Sequence, residues 1–107
     1  IVSSFNDICL KEFVKIMPEI RSALLFLKVP WNWQLLAKEI GVDAIHCLHK
    51  YLTRAKAKQI NNARYPVRCF TVNSSHTAKR LLEWGVESLI TDYPLHLIRT
   101  LTVKKRY

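Results

Sequence analysis

The sequence predicts an α/β fold in which parallel strands alternate with helices. Five apolar, strand-like runs recur about every 22 residues, a spacing that leaves room for a crossover helix between parallel strands. Helix-capping residues, or apolar side chains at helical spacing, fill most of the gaps. This alternation indicates either a closed barrel or an open α/β sheet. The predicted strands are residues 1–5, 23–27, 43–47, 67–73 and 88–91.

Caps and stop signals mark five helical segments between and after these strands. Asn6 or Asp7 can cap the first helix, and Thr53 can cap the third. Asn73 or Ser74 can cap the fourth. The predicted helices are residues 7–17, 31–40, 54–64 and 75–84, with a last one that begins near residue 92.

Two glycines occupy matching places in two similar stretches of the chain. Gly41 and Gly85 each follow a predicted helix and precede a short loop that carries an acidic residue, Asp43 or Glu87. A chain that reverses this quickly needs a left-handed residue, which glycine adopts without a Cβ clash. We therefore expect positive φ at both glycines.

The length of the chain limits what it can form alone. At 107 residues it holds at most one domain, and its 50% hydrophobic content is enough for a buried core. A complete (β/α)8 barrel needs roughly 250 residues. The chain starts inside its first strand without a Met. We therefore expect it to be part of a larger α/β domain whose open sheet edges need another part of the protein or a second copy.

The charge is strongly basic, with 17 Lys and Arg against 8 Asp and Glu and a net charge of +9. Such a charge attracts the phosphate groups of a substrate, a lipid headgroup or a nucleic acid, unless acidic residues elsewhere in the protein balance it. The absence of an aromatic and basic RNA-binding motif argues against nucleic acid. Trp31 and Trp33 flank a predicted helix start, where they either pack against the helix or touch lipid or a hydrophobic substrate tail.

The cysteines indicate the cellular compartment, and the hydropathy indicates whether the chain crosses a membrane. Cys9 lies in a predicted helix, whereas Cys47 and Cys69 lie in apolar strands, and no two cysteines have CxxC spacing. Buried free thiols in a reducing compartment such as the cytoplasm are the plain interpretation. No apolar run approaches 18 residues, so no transmembrane segment is predicted.

Candidate site residues lie where the predicted strands end, because ligand sites of parallel α/β proteins form there. Phe5 and Phe70 are rings at strand ends that either line a pocket or pack in the core. Asn73 either caps a helix or faces the same opening. His46 either lines a pocket wall or has a structural role.

These residues do not predict a metal site. Among the strand-end positions only Asp92 is a carboxylate, and helix capping is its main interpretation, whereas Mg²⁺ and Ca²⁺ need several oxygen ligands. His46, Cys47 and His49 form a cluster, but a strand directs positions 46 and 47 to opposite faces. We therefore expect no metal ligand in this chain, and the sequence contains no Ser-His-Asp arrangement or glycine-rich phosphate loop.

Four segments stand out by their order and spacing: SSFN at 3–6, GVDAIH at 41–46, FTVN at 70–73 and LLEWGVESLITDYP at 81–94. Together they resemble the C-terminal portion of glycerophosphodiester phosphodiesterases. They occur in the order and spacing of that family, and the resemblance extends from Ser3 to about Leu97. The resemblance implies a TIM (β/α)8 barrel that is incomplete in this chain. Residues 1–107 would hold its C-terminal five strand-helix units, as the C-terminal part of a single barrel domain.

The resemblance also implies metal-dependent hydrolysis of glycerophosphodiesters to glycerol 3-phosphate and an alcohol, a reaction of lipid and glycerol metabolism. The family's catalytic histidines and its Glu and Asp ligands for Mg²⁺ or Ca²⁺ come from earlier strands, so this segment alone is expected to be inactive and to bind no metal. We expect it to supply a wall of the substrate pocket. The alternative is a non-catalytic basic module that binds anionic lipid or another phosphate-bearing partner. The expected substrate-binding residues are Phe5, His46, Phe70, which stands where the family usually has Trp, and Asn73.

Overall fold

Five parallel strands form one sheet in the order in which they occur along the chain. The computed structural model describes residues 2–105, and it describes the side chains of residues 2–99. Ile1, which the sequence analysis places in the first strand, lies outside the described residues. All four neighbouring strand pairs are parallel, which confirms the prediction. The strands are β1 Val2–Ser4, β2 Ser22–Phe26, β3 Ala44–Leu48, β4 Val67–Phe70 and β5 Ser88–Leu89.

A helix follows each strand, and the helices bury one face of the sheet. Parallel neighbours joined by right-handed crossovers in sequential order place their helices on the same side. Alternate residues of β2, β3 and β4 accordingly share the core with apolar side chains of the helices. No helix within residues 2–105 is long and apolar enough to cross a membrane. The helices are α1 Asp7–Ile16, α2 Trp33–Ile40, α3 Arg54–Asn62, α4 Ser75–Glu83 and α5 Pro94–Lys105, with a 3₁₀ turn at His49–Tyr51.

The register of the sheet decides which side chains face away from the helices. Ile45 pairs with Val67, and Cys47 pairs with Cys69; all four are buried in the helix-covered core. The residues between them point the other way, because side chains alternate along a strand. The inner face is the sheet face away from the helices; it carries Ala23, Leu25, Ala44, His46, Leu48, Arg68, Phe70 and Ser88.

Side-chain caps fix the starts of three helices. The Asn6 side chain accepts a hydrogen bond from the backbone N–H of Cys9 at 3.0 Å, and Thr53 caps α3 in the same way. Ser74, rather than Asn73, caps α4. Each cap satisfies a backbone N–H that the first helical turn leaves without a partner.

Several predicted boundaries were wrong by one to three residues. Helix α2 begins at Trp33 rather than residue 31, because Pro30 opens a turn in which its carbonyl accepts from the Trp33 N–H at 3.2 Å. Strand β3 begins after Asp43, whose carboxylate instead accepts the Ser22 N–H at 2.9 Å and ties the starts of β2 and β3 together. Strand β4 ends at Phe70 rather than residue 73.

The two glycines adopt the left-handed conformation that the sequence predicts. Gly41 has φ of 86° and Gly85 has φ of 89°. Their surroundings differ: a Cβ at Gly41 would lie 3.5 Å from Val14, whereas a Cβ at Gly85 would lie 2.6 Å from the Asn61 side-chain nitrogen. That nitrogen donates to the Gly85 carbonyl at 3.0 Å, so Asn61 cannot move away without losing the bond.

We expect Gly85→Ala to destabilise the protein more than Gly41→Ala. Both substitutions place a Cβ at positive φ, which costs about 1 to 2 kcal/mol. Gly85→Ala also forces Asn61 to move and weakens its hydrogen bond. Urea unfolding measures the two free energies. Equal losses of unfolding free energy at the two glycines would show that the Asn61 contact is unimportant. The same conclusion would follow if the loss in a Gly85→Ala/Asn61→Ala double variant equalled the sum of the two single losses.

Candidate functional site

The structure brings three of the four predicted site residues to the carboxyl edge of the sheet. Phe5 follows β1, Phe70 ends β4, and Asn73 lies in the loop after β4. Phe5 is exposed and Phe70 is partly buried on the inner face. His46 shares the inner face with Phe70 but lies one row deeper, because Leu48 is the residue of β3 that pairs with Phe70. His46 and Phe70 therefore lie on the inner face at two depths, while Phe5 and Asn73 lie in the loops at its carboxyl edge.

His46 belongs to a polar row that crosses the inner face. In this row Leu25 pairs with His46, His46 with Arg68, and Arg68 with Ser88. The Arg68 Nη1 lies 3.3 Å from the His46 Nε2, and the Arg68 Nε donates to the Glu87 Oε1 at 3.0 Å. Because a guanidinium only donates, the His46 Nε2 is the acceptor and the ring proton belongs on Nδ1.

The surroundings of His46 favour its neutral form. Burial lowers the pKa of His46 below its usual 6.5, and the Arg68 charge lowers it further, while Glu87 acts in the opposite direction. The side chain of Arg68 is only 19% exposed and pairs with the half-exposed Glu87 carboxylate. This row thus combines a neutral imidazole with one balanced ion pair.

Sequence reasoning missed Arg68 and assigned Glu87 only to a strand start. The signal was present: Arg68 stands two positions before Phe70 within an apolar strand, and that spacing places both on one face. Its partner could not be identified from the sequence, since the pairing depends on the register between β4 and β5.

Asn73 ties the loop after β4 to the loop after β5. Its Oδ1 accepts from the Thr91 hydroxyl at 3.1 Å and from the Asp92 N–H at 3.0 Å. Its Nδ2 donates to the Asp92 carboxylate at 3.1 Å. A backbone hydrogen bond also holds the two loops together: beyond the end of β4, the Val72 N–H donates to the Ile90 carbonyl at 2.8 Å. The main interpretation of Asn73 as a helix cap was therefore wrong, because Ser74 caps α4 and the Asn73 side chain joins two loops.

The described residues do not fit a divalent metal ion. The Asp92 carboxylate is engaged by Asn73, and among residues whose side chains are described no three His, Cys, Asp or Glu lie together as a metal would require. His46 and Cys47 lie on opposite faces of β3. The Cys47 Sγ lies 3.9 Å from the Cys69 Sγ in the helix-covered core instead.

All three cysteines are free thiols. Cys9 is exposed on α1, while Cys47 and Cys69 are buried, which confirms the interpretation of the strand cysteines as core residues. The hydrogen bond with Cys47 and burial both raise the pKa of the Cys69 thiol. The same hydrogen bond lowers the pKa of the Cys47 thiol, and burial acts in the opposite direction. Both thiols are enclosed in the helix-covered core, where they pack as small apolar side chains.

We expect Asn73→Asp to destabilise the protein by about 1 kcal/mol, because it removes the donor to Asp92 and places two carboxylates together. The double variant Asn73→Asp/Asp92→Asn restores one amide and one carboxylate, so it should recover the loss. Gln59→Glu, on an exposed position of α3, makes the same amide-to-acid change without such a partner. Urea unfolding of the unchanged protein, the single variant, the double variant and the Gln59→Glu control measures the unfolding free energies. A double variant as unstable as Asn73→Asp would contradict the contact.

We expect His46 to titrate below pH 6.5 and Arg68→Gln to raise its pKa. Just below pH 6.5 the folded state then binds fewer protons than the unfolded state. The free energy of unfolding should therefore decrease as the pH falls through that region. Imidazole titration by NMR gives the pKa, and thermal unfolding against pH gives the stability. Arg80→Gln, on the outer helix α4, is the control. An unchanged His46 pKa in the Arg68 variant would rule out the contact.

Comparison with known proteins gives the same family along most of the chain. Residues 1–96 match the Glycerophosphoryl diester phosphodiesterase family. A glycerophosphodiester phosphodiesterase of Bacillus altitudinis is 32% identical over 96 residues, which are 88% of this chain and 39% of the relative.

Solved structures of such proteins share the fold. A phosphodiesterase of Oleispira antarctica, solved in complex with the product sn-glycerol-3-phosphate, has a TM-score of 0.90 at 24% identity, over 94% of this chain and 41% of that one. A glycerophosphodiester phosphodiesterase of Parabacteroides distasonis has a TM-score of 0.78 at 20% identity, over 96% and 43% of the two chains. This chain spans about two fifths of the length of these proteins. It belongs to the glycerophosphoryl diester phosphodiesterase family, and its parallel sheet is part of a TIM barrel.

Proposed function

We propose that this chain is part of an enzyme that hydrolyses glycerophosphodiesters to glycerol 3-phosphate and an alcohol. In this proposal residues 1–107 are the C-terminal part of a single barrel domain, and they form the wall of the pocket on the glycerol side. The family match over residues 1–96 is the observation that carries the proposal. The position of Phe5, Phe70 and Asn73 at the carboxyl edge supports the assignment of the wall, since barrel enzymes bind substrates there.

The chemistry of this edge suits the glycerol end of a substrate better than its phosphate. Phe70 offers a partly buried ring whose surface can pack on the carbon-bound hydrogens of glycerol and exclude water. One row deeper His46 is held neutral, and Arg68 is balanced by Glu87. The inner face beside Phe70 therefore carries little net charge with which to draw the phosphate away from the groups that act on it.

The groups that break the phosphodiester bond are proposed to lie outside residues 1–107. The family implies a divalent metal, Mg²⁺ or Ca²⁺, and the described residues of this chain do not provide its ligands. What the chain's own residues do is shape the pocket: Asn73 fixes the loops after β4 and β5 against each other, so the edge beside Phe70 keeps its form.

The free cysteines support a reducing compartment such as the cytoplasm as the site of this activity. Cys9 is exposed, Cys47 and Cys69 are buried, and no disulfide joins any two of them. Disulfides form readily in oxidising compartments, where an exposed free thiol is uncommon.

A non-catalytic role is the alternative, and the net charge of +9 is the observation that favours it. A basic α/β module could bind anionic lipid or another phosphate-bearing partner without hydrolysing anything. The two proposals differ in whether product is released.

The direct test is an assay of the protein with every residue that its gene encodes, using glycerophosphocholine with Mg²⁺ or Ca²⁺. We expect release of glycerol 3-phosphate from the whole protein and none above the blank from residues 1–107 alone. An inactive whole protein would favour the non-catalytic alternative. Turnover by residues 1–107 that survives stringent purification would contradict the assignment of this chain to the pocket wall.

We expect Phe70→Ala in the whole protein to lower kcat/KM, because it removes ring surface from the proposed pocket. Phe70→Trp, which keeps a ring, should restore most of the activity. Steady-state kinetics on glycerophosphocholine, with the folded fraction measured by circular dichroism, gives the comparison.

Phe26→Ala is the matched control. Phe26 also ends a strand and is also partly buried, but it packs against the helix-covered core. It should lose stability, about 3 to 5 kcal/mol for a well-packed ring, with kcat/KM of the folded fraction unchanged. The same result for Phe70→Ala would make Phe70 a core residue and remove it from the pocket.

A further inference from the structure

Large apolar side chains are exposed in the connections that follow β2 and β3. Trp31 is 87% exposed, more than any other large apolar residue among the described side chains. Leu27 follows β2, Leu35 lies in the first turn of α2, and Tyr51 lies in the 3₁₀ turn after β3. We call these four residues the aromatic rim. All are at the carboxyl edge of the sheet, where these strands end and the following helices begin.

The exposure of the rim is not explained by the open edges of the sheet. Strands β2 and β3 each have hydrogen-bonded neighbours on both sides within the described residues, so strands added to complete a barrel would pair with β1 and β5 instead. Ile90, Leu95 and Ile98 are different, because Ile90 directly follows the edge strand β5 and the other two lie on α5, the helix after it. Strands that complete a barrel would therefore not by themselves cover the rim.

Positive charge accompanies the rim. Lys28, Lys50 and Arg54 are exposed in the same two connections, and the Lys50 Nζ lies 5.7 Å from the centre of the Tyr51 ring. Acidic residues are absent from residues 27–38 and from residues 44–82. No carboxylate of these segments therefore offsets the basic side chains.

We propose that the aromatic rim docks on the surface of an anionic phospholipid bilayer. Trp and Tyr rings beside Leu side chains suit the boundary between headgroups and acyl chains, where one end of the ring stays polar. Lys28, Lys50 and Arg54 would lie against the negative headgroups, and each such charge adds to the attraction. A binding surface that needs both apolar contact and positive charge is typical of reversible membrane association.

The charge also argues against a second copy of the chain as the occupant. A symmetric contact through the rim would bring Lys28, Lys50 and Arg54 close to their own counterparts, without a carboxylate from either segment to pair with them. An anionic bilayer supplies the complementary charge. The docking does not depend on catalysis, although it would turn the carboxyl edge of the sheet, and any site there, towards the headgroups.

Co-sedimentation of the whole protein with vesicles tests the proposal. Vesicles of phosphatidylcholine alone are compared with vesicles that contain about 30 mol% phosphatidylglycerol, at low and high salt. We expect binding to the anionic vesicles that weakens at high salt. Trp31→Ser should weaken it about tenfold or more, and Lys50→Gln and Arg54→Gln about fivefold each. These side chains are exposed, so the variants should fold.

Two variants at the opposite edge of the sheet are the controls. Ile16 is 69% exposed at the end of α1, and Lys38 is exposed in the last turn of α2. Ile16→Ser and Lys38→Gln make matched apolar and charge changes there, and they should leave vesicle binding unchanged. Equal effects of rim and control variants would overturn the proposal, because general charge or stickiness would then explain the binding.

Two other results would also overturn it. The whole protein would be a poor candidate for docking if it bound neither kind of vesicle, or bound both equally. Size-exclusion chromatography provides the second check: a dimer that Trp31→Ser converts to a monomer would show that the rim is covered by another copy of the chain. Neither result would bear on hydrolysis of glycerophosphocholine, which is soluble and is assayed without vesicles.

Discussion

The parallel register of β2, β3 and β4 is the constraint on which the other features depend. It keeps Ile45, Cys47 and Cys69 in the helix-covered core and directs His46 and Arg68 to the inner face. A slip of one residue in β3 or β4 would reverse every side chain of that strand. It would bury a histidine or an arginine under the helices, where no partner is available among the core side chains, and such burial costs several kcal/mol. The apolar core thus selects the register, and the register builds the polar row.

The same constraint arranges the carboxyl edge. Because β4 and β5 pair through Cys69 and Leu89, the loops after them emerge side by side, and Asn73 can reach the loop that contains Asp92. Phe70 is held on the inner face by the same pairing. The edge beside it is therefore defined by backbone hydrogen bonds and one amide side chain. This geometry supports the proposal that the chain shapes a pocket rather than breaks a bond.

Local patterns were sufficient for the fold but not for the site. The apolar period, the caps at Asn6 and Thr53, and the two left-handed glycines each depend on a few neighbouring residues, and each is present in the structure. The Arg68–Glu87 pair and the role of Asn73 depend on contacts between residues about 19 positions apart, which a single sequence does not specify. The resemblance to a family added the choice of a closed barrel, because the strand-helix pattern alone is compatible with a barrel or an open α/β sheet.

The central claim is that the inner face beside Phe70 is the glycerol side of a pocket that the rest of a barrel completes. A crystal structure of the whole protein with sn-glycerol 3-phosphate tests it most directly. The account predicts that further strands pair with β1 and β5, that the glycerol carbons pack on the Phe70 ring, and that the phosphate points away from it towards residues outside this chain. A product bound away from the inner face, or a phosphate held by Arg68 after release from Glu87, would contradict it.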